Sequence, residues 1–256
     1  MKIINYVGLA LLLTHCASVV RLPTSTGQTP VVGGGFLGGK IGLDISRSIP
    51  VTVINDVTTN PPTRNAIKVG QDDNVIGDVT GIDAFAGSRF ELSLGLLQRL
   101  DIYYTGALGA RFMVFGKNGE KGWKGTVFAG ASGYGQTDST GSDPNVTSTQ
   151  TQMSATEYGF SVGRRFDDPF MLYLTLASRG GKADIKVTSN STETGSYKDE
   201  FDHYIGSFGL LFGESFFGKV EVSGNYIEWR GQDNSNNTLK DSSTEFGATA
   251  GFGYMW

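Results

Sequence analysis

From residue 33 onward, apolar and polar side chains alternate with a period of two, in blocks separated by polar or glycine-rich stretches. Successive strand residues point to opposite faces, so such alternation predicts β-strands with one apolar face each. Over Gly33–Ile45, Leu37, Gly39, Ile41, Leu43 and Ile45 share one face, and Gly38, Lys40, Gly42 and Asp44 the other. Over Arg89–Leu97, Phe90, Leu92, Leu94 and Leu96 oppose Glu91, Ser93 and Gly95. Trp123–Gln136 sets Trp123, Val127, Ala129 and Ala131 against Lys124, Thr126, Phe128 and Ser132. Tyr158, Phe160 and Val162 oppose Ser161 and Gly163; Phe170, Leu172, Leu174 and Leu176 oppose Tyr173, Thr175 and Arg179, in a strand that ends at Gly180-Gly181 or runs on to Val187. Tyr204, Phe208, Leu210 and Phe212 then face away from His203, Ser207 and Gly209. Phe216, Val220, Val222 and Tyr226 face away from Lys219, Glu221, Ser223 and Asn225. The closing segment, Glu245–Trp256, puts Phe246, Ala248, Ala250, Phe252, Tyr254 and Trp256 on one face and mostly glycine on the other.

The connections fall into two classes. Short turns are expected near 98–101, 117–122, 164–169 and 213–215; long polar loops are expected over 46–87, 137–152, 188–202 and 231–243. Within the first long loop, Val51–Ile54 could extend a strand. Ile102–Phe115 reads as one long strand or as a hairpin folded near Gly106. If short turns share one side, parity requires the hairpin and about ten strands; eight result if it does not insert.

The apolar faces carry almost no charge, whereas the opposite faces carry Lys40, Asp44, Glu91, Arg111, Lys124, Arg179, Lys219 and Glu221. A polar interior inside an apolar exterior inverts a soluble fold and suits a barrel in lipid. Mean hydropathy is slightly negative, and no apolar run approaches the roughly 20 residues of a membrane helix. With 18% charged residues, a net charge of −4 and no basic cluster, nothing points to nucleic acid. The single Cys excludes an intrachain disulfide.

The final strand, ending on Trp256 after Phe252 and Tyr254, resembles the C-terminal assembly signal of bacterial outer-membrane β-barrels. The resemblance implies an all-β antiparallel transmembrane barrel of the small OmpA-type or porin-like kind. Its short turns would be periplasmic and its long loops extracellular. It further implies outer-membrane lipids and the barrel-assembly machinery as partners.

Met1–Thr14 carries Lys2 and an apolar run from Val7 to Leu13, the layout of a secretory signal. Leu13-Thr14-His15-Cys16 resembles a lipobox with Cys16 as the lipidated residue, although His15 stands where a small residue is usual. Cleavage by ordinary signal peptidase near Ser18 is the alternative. The expected organisation is therefore a signal over 1–15, a flexible Pro/Thr/Ser tether over 16–31, and a barrel over 32–256.

Catalytic motifs do not assemble. His203 follows Asp199-Glu200-Phe201-Asp202, but the omptin-like Asp-x-His dyad needs an acid at position 201. The lipid A deacylase His-x-Ser pattern fails at Ile205. Ser207 shares a face with His203 but lies roughly 13 Å along a strand. A plain rim histidine is expected, with no enzyme, metal or cofactor. Two functions remain open: a structural or surface-interaction barrel acting through its loops toward an extracellular ligand or partner, and a narrow small-solute channel.

Overall fold

A computed structural model describes residues 15–33, 36–56, 63–70, 88–140, 147–166, 170–189 and 192–256. Of the signal expected over 1–15, residues 1–14 lie outside the described residues and His15 begins β1. The strands, in chain order, are β1 (His15–Pro23), β2 (Gly39–Ser46), β3 (Ser48–Asp56), β4 (Thr63–Val69), β5 (Arg89–Leu97), β6 (Leu100–Tyr104) and β7 (Leu108–Phe115). They continue with β8 (Gly122–Thr140), β9 (Thr147–Arg165), β10 (Phe170–Ser189), β11 (Thr192–Gly213), β12 (Phe216–Gln232) and β13 (Thr238–Met255). Ten of them, β2 and β5–β13, close into an antiparallel barrel; β1, β3 and β4 form a separate antiparallel sheet.

The alternation expected from sequence sets the barrel's two faces. Outward-facing Phe90, Leu92, Phe160, Leu174, Phe208, Val222 and Phe252 are exposed, while Lys40, Glu91, Arg111, Thr175 and Lys219 are buried. The Ile102–Phe115 stretch is a hairpin, as parity required: β6 and β7 pair from Leu100↔Phe112 to Tyr104↔Leu108. Gly106 takes φ +84° in its turn, a conformation that costs glycine nothing. The barrel closes where its last strand meets its first, with Tyr254↔Ile41 and Phe252↔Leu43 in register. The closed ring covers the level of the short strands: β13 pairs with β2 only from Thr249 to Met255, and β8 with β7 only from Gly125 to Ala131, so closure removes free strand edges at that level.

The barrel wall is lopsided. β2 and β5–β7 are 5 to 9 residues long, whereas β8–β13 run 17 to 22. A tilted strand needs only about 9–11 residues to cross a bilayer, so the tall strands are well over the length a crossing would require. Within 137–152, 188–202 and 231–243, expected as loops, the described residues are largely strand, while 141–146 and 190–191 lie outside the described residues. The described connection between β12 and β13 is only 233–237.

Patterning inverts along the tall strands. On β10, outward Phe170, Leu172, Leu174 and Leu176 give way to Lys182, Asp184 and Lys186, and the inward face becomes Ala183, Ile185 and Val187. On β12, outward Val220, Val222 and Tyr226 give way to Glu228 and Arg230, while Ile227 and Trp229 turn inward. Above that level the barrel has an apolar inside and a charged outside, as a soluble β-protein does.

The second sheet fills this upper chamber. Val20, Leu22, Ile49, Val51, Val53, Ile67 and Val69 pack against Met153, Ala155, Ile185, Phe201, Ile227 and Trp229. The 46–87 region expected as a loop thus supplies β3 and β4, although 57–62 and 71–87 lie outside the described residues. The proposed short turn at 98–101 also shortens: β6 begins at Leu100, which places Asp101 in a strand.

Candidate functional site: the occupied lumen

The Pro/Thr/Ser stretch read as a tether over 16–31 is not free of the barrel. Its first part is β1, paired with β3 from His15↔Asp56 to Pro23↔Ser48. Beyond Pro23 the chain runs through the barrel interior, and Thr24, Ser25, Thr26, Gln28, Thr29, Val31 and Val32 are all buried. It has few apolar side chains to bury, but its backbone and hydroxyls match a polar wall, which water would otherwise have to satisfy.

The wall grips this segment mainly by its carbonyls. Ser223 Oγ donates to the Thr24 carbonyl (2.8 Å) and Lys219 Nζ to that of Gly27 (3.2 Å). Thr175 Oγ1 donates to the Gln28 carbonyl (3.4 Å) and Arg111 Nη1 to that of Thr29 (3.4 Å). Asn118 Nδ2 donates to the Val32 carbonyl. Side chains of the segment contribute as well: Arg111 reaches Gln28 Oε1 (3.3 Å), and Lys40 Nζ reaches Thr29 Oγ1 (3.3 Å). At the lower end the Gly33 amide donates to Asp101 Oδ2 (2.8 Å). Val31 packs with Met171, Tyr173, Leu211 and Phe217. Gly163 sits where Pro30 passes; a Cβ there would lie 2.8 Å from the proline ring.

Buried ions form the wall around it. Lys40 pairs with Glu91 (2.7 Å), and Lys219 with Asp44 (2.6 Å) and Glu91 (3.8 Å). Arg111 holds Asp101 with two bonds, Nε to Oδ1 (3.2 Å) and Nη2 to Oδ2 (2.6 Å). Arg179 holds Glu157, and Tyr173 OH donates to Glu221 Oε2 (3.1 Å). Of the eight charges expected to face the lumen, Lys40, Asp44, Glu91, Arg111, Lys219 and Glu221 gather around the segment. Arg179 stands apart, bonded to Glu157. Lys124 is also inward and buried, but its ammonium caps the turn after β7 by donating to the carbonyls of Lys117 and Glu120 (the latter at 2.5 Å).

Sequence reasoning missed Asp101 and Glu157, the partners of the two arginines. Glu157 was legible by parity, since it precedes the outward Tyr158; Asp101 was hidden in an expected turn. His203, read as a rim histidine, is instead fully buried in the wall, its Nε2 2.9 Å from Asn225 Oδ1. Among the described residues no group of three or more His, Cys, Asp or Glu is arranged to hold a metal ion.

Near the chamber rim, Arg64 of β4 meets Asp199 of β11, and Trp229 Nε1 donates to the same carboxylate (2.7 Å). On the outer surface, a hydrogen bond from Lys240 and the nearby Arg230 hold the Glu228 carboxyl below its ordinary range. The terminal aromatics face outward: Tyr254 and Trp256 stack at 6.2 Å, and Phe216 leans on Tyr254 at 4.9 Å. Trp256 exchanges two backbone bonds with Gly39 (3.0 Å each), and its Nε1 donates to the Leu37 carbonyl (3.1 Å).

No family model matches the chain, and no curated protein does. Among solved structures, one described as the copper transporter OprC is 12% identical, with a TM-score of 0.36 over 92% of this chain and 47% of its own length. The outer membrane channel DcaP of Acinetobacter baumannii is 8% identical, with a TM-score of 0.14 over 94% of this chain and 97% of its own. This chain therefore spans just under half the length of OprC, and likenesses this distant assign it no activity.

Proposed function

We propose that this protein is an integral outer-membrane barrel closed to diffusion, serving a structural or surface-interaction role through the tall β8–β13 wall and its tips. The lipid-facing band of Phe, Leu, Val and Tyr supports the membrane location, and the short turns mark the periplasmic end. One observation carries the closed reading. Thr24–Val32 occupies the lumen, with five of its carbonyls bonded by wall side chains. Outer-membrane lipids surround the band, and the barrel-assembly machinery reads the Phe252–Tyr254–Trp256 strand. Lipidation of Cys16 belongs to the same reading; its backbone pairs with Asn55 at the loop-side end of the chamber sheet.

The channel reading keeps one specific support. The hydroxyls of Ser93, Thr105, Thr126, Ser207 and Thr249 are buried without a protein partner among the described residues, and groups of that kind ordinarily bind ordered water. A hydrated lumen would conduct once the segment left it. Single-channel recording of refolded, heat-modifiable protein in planar bilayers separates the two. Silence from the full chain, with discrete steps after deletion of residues 17–33, is the expected result. Discrete steps from the resting full chain would establish the channel instead.

A further inference from the structure

Two described stretches near the start of the chain, 15–33 and 36–46, run in opposite directions through one barrel. β1 enters at the loop side, where His15 lies opposite Asp56, and descends to Pro23 opposite Ser48. The chain then passes Ser223, Lys219 and Arg111 in turn and reaches Asp101 and Asn118 near the short turns. There it reverses: the Gly95 amide donates to the Gly38 carbonyl (2.6 Å), and β2 climbs back as part of the wall. The irregular segment 24–33 is thus bonded by side chains of β6, β7, β10 and β12 along its length, inside the barrel.

We infer that the barrel carries its own N-terminal strand through its lumen and presents β1 on the outer side of the membrane. This inference rests on the orientation in the proposed function, with short turns in the periplasm. The stretch from β1 to Gly33 and the first barrel strand β2 would be the two arms of one excursion, with Gly33 and Gly38 at its periplasmic end. Recognition through backbone carbonyls makes the passage tolerant of sequence, because every non-terminal residue offers the same acceptor. Above the passage, β1 is fixed by burying Val20 and Leu22 against the chamber core. That burial holds it on the loop side once it has arrived. Anything attached to the start of β1 would thus be displayed at the cell surface, although the chain enters the envelope from within.

The test uses the full chain with a short epitope between Ala17 and Ser18, and two controls carrying the same epitope within 233–237 or within 117–121. Antibody added to intact cells should label the first two and reach the third only after permeabilisation. If 233–237 is labelled on intact cells but 17/18 needs permeabilisation, the threading is overturned while the orientation stands. If 117–121 is the site labelled on intact cells, the orientation is wrong and outward presentation falls with it. Because an insertion can block assembly, hydrogen exchange of the untagged, refolded protein supplies a second reading. The amides of Thr24, Gly27, Gln28 and Gly33, which donate within the barrel, should exchange far more slowly than those of a free polar segment. Exchange at the rate of a free polar segment would overturn the inference.

Discussion

Arg64 and Asp199 face each other with both guanidinium nitrogens on both carboxylate oxygens, at 2.5 Å on each arm and with no exposure on either side chain. They join the inner sheet to the outer wall. Arg64 sits on β4 and carries the ring of Tyr197 at 5.3 Å; Asp199 sits on β11 and also accepts from Trp229, which stacks on Phe201 at 5.2 Å. A charge removed from water is costly unless its partner stays, so the pair fixes the sheet's position more than it adds stability.

Asp199→Ala should therefore free the chamber sheet without opening the barrel, since the ladders of β8–β13 remain. Stranding the guanidinium costs about 3–5 kcal/mol. Limited proteolysis should cut within 48–69 much faster than in the parent, while the heat-modifiable band persists. Equal cutting in both would show that the apolar packing alone holds the sheet.

Arg111 and Arg179 provide a paired prediction, since both are buried and both hold a carboxylate. Arg111 also bonds Gln28 and Thr29 of the threaded segment, whereas Arg179 bonds Glu157 on its own wall. Arg111→Ala should loosen the segment and produce flickering conductance in bilayers. Arg179→Ala should lower thermal stability by a similar amount and stay silent. Conductance from both, or from neither, would detach the closed state from these contacts.

The 233–237 tip depends on pH in a definite direction. Asp233 accepts from the side chain and backbone of Asn237 and the backbone of Ser235, which holds its carboxyl below the ordinary value. A carboxylate with a lowered folded value stabilises the tip above about pH 4, the unfolded value, and that contribution is lost as pH falls through the lowered value. Acidification should therefore release the tip, read as lower protection of the Asn236 and Asn237 amides relative to their intrinsic exchange rate at each pH. Asp233→Asn should lower that protection at neutral pH and flatten its pH dependence. A variant that keeps the parent's acid transition would assign the transition to another group.

The barrel was legible because one alternation holds at the level of the short strands, with Leu172, Leu174 and Leu176 facing out and Tyr173 and Thr175 in, as a lipid-facing wall would require. Even the hairpin at Gly106 followed from counting sides. The chamber was harder, because above the bilayer the rule reverses. Ala183, Ile185 and Val187 alternate with Lys182, Asp184 and Lys186 as clearly as the lower residues do, which left the strand open to run on to Val187, yet the polar stretch 188–202 beyond it read as loop. Thr24–Val32 was illegible for a deeper reason. A segment with too few apolar residues to pack in water is the kind a charged lumen can accept, and nothing local distinguishes the two. Arg111 and Lys219 were recognised as inward charges; that their partners include backbone carbonyls 82 and 192 residues away is a property of the closed barrel alone.

The seam between β13 and β2 gives the last prediction. Trp256 lies over Gly39, where a Cβ would come within 2.4 Å of the indole, and it bonds the Gly39 backbone twice and the Leu37 carbonyl once. Deleting Trp256 removes both backbone bonds at the point where the first and last strands meet, together with the terminal aromatic of the proposed assembly signal. Trp256→Phe keeps the backbone bonds and an aromatic ring, and loses one hydrogen bond worth about 1 kcal/mol. The deletion should abolish the heat-modifiable barrel in the outer membrane, and the phenylalanine variant should retain it with a slightly lower melting temperature. Refolding into detergent separates the two contributions. If the deletion refolds in vitro but fails in cells, the terminal residue serves recognition by the assembly machinery; failure in both places its role in closing the seam. A deletion variant that assembles normally in cells would remove Trp256 from both roles.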